Sequence, residues 1–361
     1  MKTSSIIIVV LVVVVIAVAA IYAVTALTAA PSICTSTWEC GAGYPVEVGG
    51  TLAIAGEQCV NTPSTIYCIG GQDANGGPRN DVYYTSAISS SGNITGWALD
   101  SQAYPQYIDG ESCVLSSGSV YCVGGSYNDN GDDVASSYYT NVTATGSLGN
   151  WSSTTPFPIP VDSQSCVSSS SYIYCVGGNN ETDGSNADAT PTNSVWYAPI
   201  SASGIGKWGL TAAYPVSVQF PSCFASGSEI YCLGGADANG NSLGTAYYAT
   251  LSSSGVSAWT STTSYPVAGS GQACVISSGD ILCVGGETSG GSSPTYTNAV
   301  YYAPISAGGI GTWKQSPNYP VSVGTTCVGL SGDIYCVGGF DQSSVGANNF
   351  VEYASLASLM G

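Results

Sequence analysis

The sequence predicts an all-β fold of six like units closed into a ring, preceded by one membrane-spanning helix. Three observations carry this expectation. A motif with two cysteines nine positions apart recurs six times at a spacing near fifty residues; each copy is followed by the same succession of Tyr-, Trp- and Tyr-Pro-bearing segments; and the last copy lacks a piece that the chain supplies at its start. A period of that length marks a propeller or an array forming one body, so it overrides the two or three domains that 361 residues would otherwise suggest.

The motif itself reads Cys-Val-Ser-Ser-Ser-Ser-Tyr-Ile-Tyr-Cys-Val-Gly-Gly over residues 166–178. Its cysteine pairs are Cys59/Cys68, Cys113/Cys122, Cys166/Cys175, Cys223/Cys232, Cys274/Cys283 and Cys327/Cys336. Folding each copy about its midpoint sets the cysteines opposite each other. The tip is then Ser117-Gly118, Gly227-Ser228, Ser278-Gly279 or Ser331-Gly332 in four copies, as tight hairpin turns require. Each copy is therefore expected to be a β-hairpin stapled by its own disulfide. Closing a loop of about ten residues in this way is worth roughly 2–3 kcal/mol in the chain-entropy account. Cys34 and Cys40 make a seventh pair around Trp38. Zinc is the competing reading, but the chain has no CxxC spacing and no His. Seven disulfides imply an oxidising compartment.

After the Gly-Gly comes a variable polar loop, then a Tyr-rich strand such as Val300-Tyr301-Tyr302-Ala303-Pro304-Ile305, a Gly turn, a Trp and a Tyr-Pro. The Trp recurs as Trp97, Trp151, Trp208, Trp259 and Trp313, followed by Tyr-Pro or, in one copy, Phe157-Pro158. Each repeat thus holds about four short strands. No segment beyond residue 30 shows helical periodicity. The last copy has its hairpin and a Tyr-bearing strand over residues 350–356 but no Trp strand, whereas Trp38 and Tyr44-Pro45 precede the first hairpin. The N-terminal strand is expected to complete the last unit and close a six-bladed β-propeller, which removes exposed sheet edges.

A strand ending in Ile-Tyr-Cys-Val-Gly-Gly, then a Tyr-bearing strand, then a Trp, resembles the kelch repeat, over roughly residues 38–357. The resemblance implies that Gly177-Gly178 ends the second strand of a blade and that Tyr197 and Trp208 pack between blades. The cysteine staples, the lack of basic residues before the first strand and Leu282 in place of Tyr depart from the kelch pattern. Kelch propellers serve adhesion, scaffolding, substrate capture and some enzymes, so the resemblance implies a fold more than a task.

Residues 6–30 are almost wholly apolar and follow Lys2. Twenty-five such residues suffice to span a bilayer, which favours an uncleaved anchor over residues 1–30 with the propeller (31–361) outside the membrane. Thr28-Ala29-Ala30 offers the alternative of a cleaved signal and a secreted protein.

Charge and composition exclude much. Four basic residues (Lys2, Arg79, Lys207 and Lys314) against a net charge of −18 exclude phosphate-driven binding to nucleic acid or to an anionic lipid surface. Without His, no Ser-His-Asp or Cys-His catalysis and no copper-radical site of the galactose-oxidase type can be built. One arginine is too few for the carboxylate grip of sialidase-like propellers and sits poorly with a kelch-type sialic-acid epimerase. Carboxylate chemistry remains. Glu57 and Glu111 stand two residues before the first cysteine of neighbouring copies, with Gln164, Pro221, Gln272 and Thr325 at the same place in the others and Asp109 and Asp162 nearby. This column is expected to ring one mouth of a central channel, as solvated polar residues, a ligand-binding set, or a two-acid glycan hydrolase or lyase.

Asp73, Asp129 and Asp237 open Asp/Asn/Gly loops that suit either a structural Ca²⁺ or plain turns, and no other cofactor is indicated. Asn93, Asn141, Asn150 and Asn180 head N-glycosylation sequons. Of each pair Tyr83-Tyr84, Tyr138-Tyr139, Tyr247-Tyr248 and Tyr301-Tyr302, strand alternation leaves one Tyr for the core and the other for sugar stacking. A surface whose charge is nearly all carboxylate becomes almost neutral near pH 2–3, so an acidic external medium is plausible for it. The expected function is a cell-surface module binding a protein or glycan through its loops, with the hydrolase or a structural envelope component as alternatives.

Overall fold

The computed structural model describes residues 34–45, 47–48, 51–127, 132–180, 190–289, 294–342 and 346–361. The expected membrane span over residues 6–30 and the calcium candidate Asp129 lie outside them. Among the described residues no helix is long and apolar enough to cross a membrane. Residues from Cys34 to Gly361 form one compact unit, whose described residues are all-β apart from one short helix.

Among the described residues, six antiparallel sheets of four or five strands follow one another along the chain, with smaller ladders between them. The second of them shows the plan: Ser112–Ser116 and Ser119–Val123 form the hairpin, Ser137–Asn141 pairs with the latter, and the short Ser152–Ser153 lies outermost. The hairpin turns tightly because Ser117 and Gly118 both take positive φ, 51° and 80°, the backbone of a type I′ turn. All six hairpins set their cysteines in register and bridge them as expected. The bonds are Cys59–Cys68, Cys113–Cys122, Cys166–Cys175, Cys223–Cys232, Cys274–Cys283 and Cys327–Cys336, with Cα–Cα separations of 4.0–4.1 Å. Cys34–Cys40 is the seventh disulfide. In the last sheet, Val323–Leu330, Asp333–Asp341 and Val351–Ser355 are joined by Glu39–Cys40 from the start of the chain.

The seams between units explain the repeating aromatic residues. Each of the six repeating Trp residues meets edge-on the aromatic ring of the Tyr-Pro or Phe-Pro one repeat earlier, with centroids 4.8–5.0 Å apart, and Trp38 meets Tyr319, the last of them. Second-strand tyrosines reach across the same seams: Tyr67, Tyr121, Tyr174 and Tyr231 donate to turn carbonyls of the next unit, and Tyr335 of the last unit donates to Gly92 of the first. The Gly-Gly pairs sit where neighbouring backbones come closest. A Cβ on Gly177 would lie 2.4 Å from the Val218 carbonyl oxygen, so no larger residue fits. The first strands contact one another in order, and the last, Val323–Leu330, lies against the first, Gln58–Asn61. The arrangement is β-propeller-like.

Two expectations are corrected. The chain ends in an α-helix, Leu356–Met360, too short for periodicity to reveal. Its Leu356 and Leu359 pack with Leu282, which explains that departure from Tyr: the last unit offers a helix there instead of a turn carbonyl. Nor does one Tyr of each Tyr-Tyr pair stand free. Both are half-buried, because every sheet has a neighbour on each face: Tyr83 meets Tyr44 edge-on, while Tyr84 stacks on Tyr67.

Candidate functional site

The leading ends of all six first strands surround a cavity of about 440 Å³. The two cysteines of each staple stand differently toward it. Cys59, Cys113, Cys166, Cys223, Cys274 and Cys327, on the first strands, border the cavity. Cys68, Cys122, Cys175, Cys232, Cys283 and Cys336 do not: they sit one strand further out, buried in the seams among the apolar side chains of the core. Every one of the twelve is spent in a disulfide, so the cysteines hold the wall of the site in place and offer it no thiol.

The column Glu57, Glu111, Gln164, Pro221, Gln272, Thr325 borders the cavity, but its four long polar residues are almost wholly buried. They are only 2, 1, 6 and 3% exposed. Gln164 Nε2 donates to the Val123 carbonyl at 2.6 Å and Gln272 Nε2 to that of Leu233 at 3.3 Å, each in the preceding unit. Glu57 and Glu111 take the same course over Gly338 and Gly70. The expected column thus does border the cavity, but its long side chains are buried and bonded within the seams rather than solvated. The cause is the Gly-Gly of the neighbouring unit, which leaves a groove that a four- or five-atom side chain fills. Burial raises the carboxyl pKa of Glu57 to about 8 and that of Glu111 well above its ordinary range.

What faces the cavity is different. One residue ahead of the column stand Gly56, Gly110, Ser163, Phe220, Gly271 and Gly324, all lining the mouth. Five of them have positive φ, from 52° to 69°, a backbone that suits Gly and strains a bulky side chain. Phe220 holds this conformation at 52° and is 44% exposed. Its backbone is pinned on both sides: its N–H donates to the Ser163 carbonyl at 2.8 Å, and its carbonyl accepts from Gly271 N–H at 3.0 Å. Tyr296 and Phe340, both half-buried, line the same side of the cavity, and Tyr296 lies against Gly324. Glu287, opposite Tyr296 in the ladder, adds a carboxyl whose pKa burial raises, and burial with the Glu287 charge pushes Tyr296 to about 12.

At the other side, beside Gly110 and Ser163, stand Asp109 and Asp162. Asp109 accepts from Gln72 Nε2 at 2.8 Å and burial raises it to about 6. Asp162 accepts from Ser163 at 3.0 Å and Ser126 at 3.3 Å; burial, then the nearby Asp133, push it to about 8. Phe220, Tyr296, Phe340 and Glu287 were not singled out from the sequence. For Phe220 the signal existed: aligning the repeats sets it against four Gly and one Ser.

The remaining candidates resolve as follows. Asp73 accepts the N–H groups of Asn75 and Gly77 and lies 3.8 Å from Arg79, and Asp237 accepts those of Asn239 and Asn241. Both close their own turns, and among the described residues no group of three or more Asp, Glu, Cys or His converges as metal ligands. Asn141 and Asn150 are exposed sequon residues, whereas Asn180 spends its Nδ2, the atom a glycan would need, on the Pro160 carbonyl, and Asn93 Oδ1 is sealed from solvent.

No family model matches the chain, and no curated protein matches it. Among solved structures it is similar to one described as "Structure of YjhT", with 14% identity, a TM-score of 0.67, and coverage of 86% of this chain and 95% of that one. At that identity the likeness speaks for the fold alone.

Proposed function

We propose that this chain is a closed six-bladed propeller of the kelch kind, displayed outside the cell behind its apolar N-terminal segment, that binds an uncharged glycan at the mouth of its central cavity. The observation that carries this reading is Phe220. A half-exposed aromatic ring is held at the mouth in a backbone conformation that the sister units reserve for Gly or Ser, and such strain persists where the side chain has a task. Together with Tyr296 and Phe340 it offers apolar faces for the CH surface of a sugar, and Glu287 beside them offers a partner for its hydroxyls. With four basic residues in the whole chain nothing here neutralises an anionic sugar. Closure is supported by the seam pattern, which runs from the last unit to the first as it does between the others. Two-acid hydrolysis is disfavoured, since Glu57 Oε1 and both oxygens of Glu111 are sealed from solvent.

The test is retention of the full chain on a panel of neutral and acidic oligosaccharides, with release of reducing sugar followed in the same samples. Retention on neutral members without release is expected, and Phe220→Gly should weaken it by about tenfold or more while leaving Tm equal or higher, because Gly relieves the backbone. Release of sugar, preference for acidic members, or undiminished binding by Phe220→Gly would each overturn the reading.

A further inference from the structure

In the two seams that flank the first unit, the geometry points to carboxylic acids that keep their protons and act as hydrogen-bond donors, so that Glu57 and Glu111 form a latch sensitive to alkaline pH. The argument begins with the repeat. Gln164 and Gln272 occupy the same position, and each gives an N–H to the carbonyl just before the Gly-Gly of the preceding unit. Their Nε2 atoms lie 2.8 and 2.1 Å from the place of a Cβ on Gly124 and Gly234. Glu57 Oε1 and Glu111 Oε1 lie 2.8 Å from the corresponding place on Gly338 and Gly70. An oxygen thus stands where the glutamines put a donor, and by that equivalence it is directed at the carbonyls of Val337 and Ile69. Neither oxygen has a hydrogen-bond donor among the described residues. An ionised carboxylate there would set lone pair against lone pair; a protonated one donates O–H as the amide does. Val337 O also accepts from Thr325 Oγ1 at 2.8 Å.

The surroundings supply no charge that would draw the proton off. The ionisable groups felt here are Tyr44 by Glu57, and Tyr104, Asp109 and Glu57 by Glu111, none of them cationic. Arg79 is engaged by Asp81 at 2.5 Å and Asp73 at 3.8 Å. Burial favours the neutral acid in both and outweighs each residue's own backbone N–H, which favours the charged form. Glu57 spans the seam between the last unit and the first, so its ionisation would load the seam where the ring is joined.

The test compares thermal unfolding of the full chain with that of Glu57→Gln, Glu111→Gln and the double variant from pH 4 to pH 10, alongside the infrared carbonyl band of a protonated carboxylic acid at pH 7. The wild type should lose Tm as pH rises through about 8, the double variant should lose much less, and the two should converge at pH 4–5. The acid band should shrink in each single variant and most in the double. Parallel Tm curves, or an acid band unchanged by the substitutions, would overturn the inference. Glycan retention by the double variant should equal that of the wild type at pH 5, which separates this latch from the binding site.

Discussion

At the scale of single residues, the glycines divide by what surrounds them. Gly234 has φ 67°, and a Cβ there would fall 2.1 Å from Gln272 Nε2 and 2.6 Å from the Gly269 carbonyl. Gly227, at φ 60° on a hairpin tip, has nothing within 4 Å. Gly227→Ala should therefore cost only the backbone penalty, about 1 kcal/mol, whereas Gly234→Ala adds displacement of a backbone and should cost about 2–4 kcal/mol. Urea midpoints of the two variants check the ordering, and equal losses would refute it. The repeat alignment identified these glycines and the column two residues before each cysteine. It did not reveal which way the column's side chains turn, because the groove that receives them is made by a neighbouring unit, 41 residues away for Gln164 and 39 for Gln272. Phe220 was equally legible as an exception, since it alone sets an aromatic ring where its sister positions hold Gly or Ser.

At the scale of the element, the hairpin is the self-contained piece. Its register, its tip and its disulfide are all local, which is why spacing alone placed every cysteine pair. What spacing could not show is that the two halves of a staple share a seam, while only the first, such as Cys166, also borders the cavity. Removing one staple with Cys113→Ser and Cys122→Ser should cost about 2–3 kcal/mol and leave the β-sheet circular dichroism unchanged. Loss of the sheet signal would show that the hairpin depends on its staple. The third strand was less legible, since its paired tyrosines serve two seams at once and alternation describes only one sheet. Leu282 marks the place where the pattern yields to the chain end. Leu282→Tyr would push a hydroxyl against Leu356 and Leu359 with no turn carbonyl to receive it, so Tm should fall by an amount matching about 1–3 kcal/mol. Unchanged stability would mean that the terminal helix gives way freely.

For the whole molecule, the buried carboxyls set the direction of pH dependence. Asp109, Glu352, Asp162 and Glu57 are raised to about 6, 7, 8 and 8, mainly by burial. A folded-state pKa above the unfolded one means that the folded chain binds protons more tightly. The associated stability is fully present below the unfolded values near 4, and is lost as pH rises through about 6 to 8. Tm should be highest near pH 3–5 and decline above pH 6, and a collapse below pH 4 would refute this. Composition had already pointed to acid tolerance through the scarcity of salt bridges; the sealed carboxyls that reinforce it were invisible until neighbouring units were placed together.

The disulfides also carry a mechanical consequence. All seven lie within a unit or within the closing strand, so no covalent bond but the chain itself crosses a seam. Pulled between Cys34 and Gly361, the molecule should part first at the two-residue ladder of Glu39–Cys40 against Val351–Ser355, opening like a clasp. Each further step should release one whole unit less the slack its staple withholds. A force trace would then show a sawtooth of near-equal teeth that lengthen when a reductant is added.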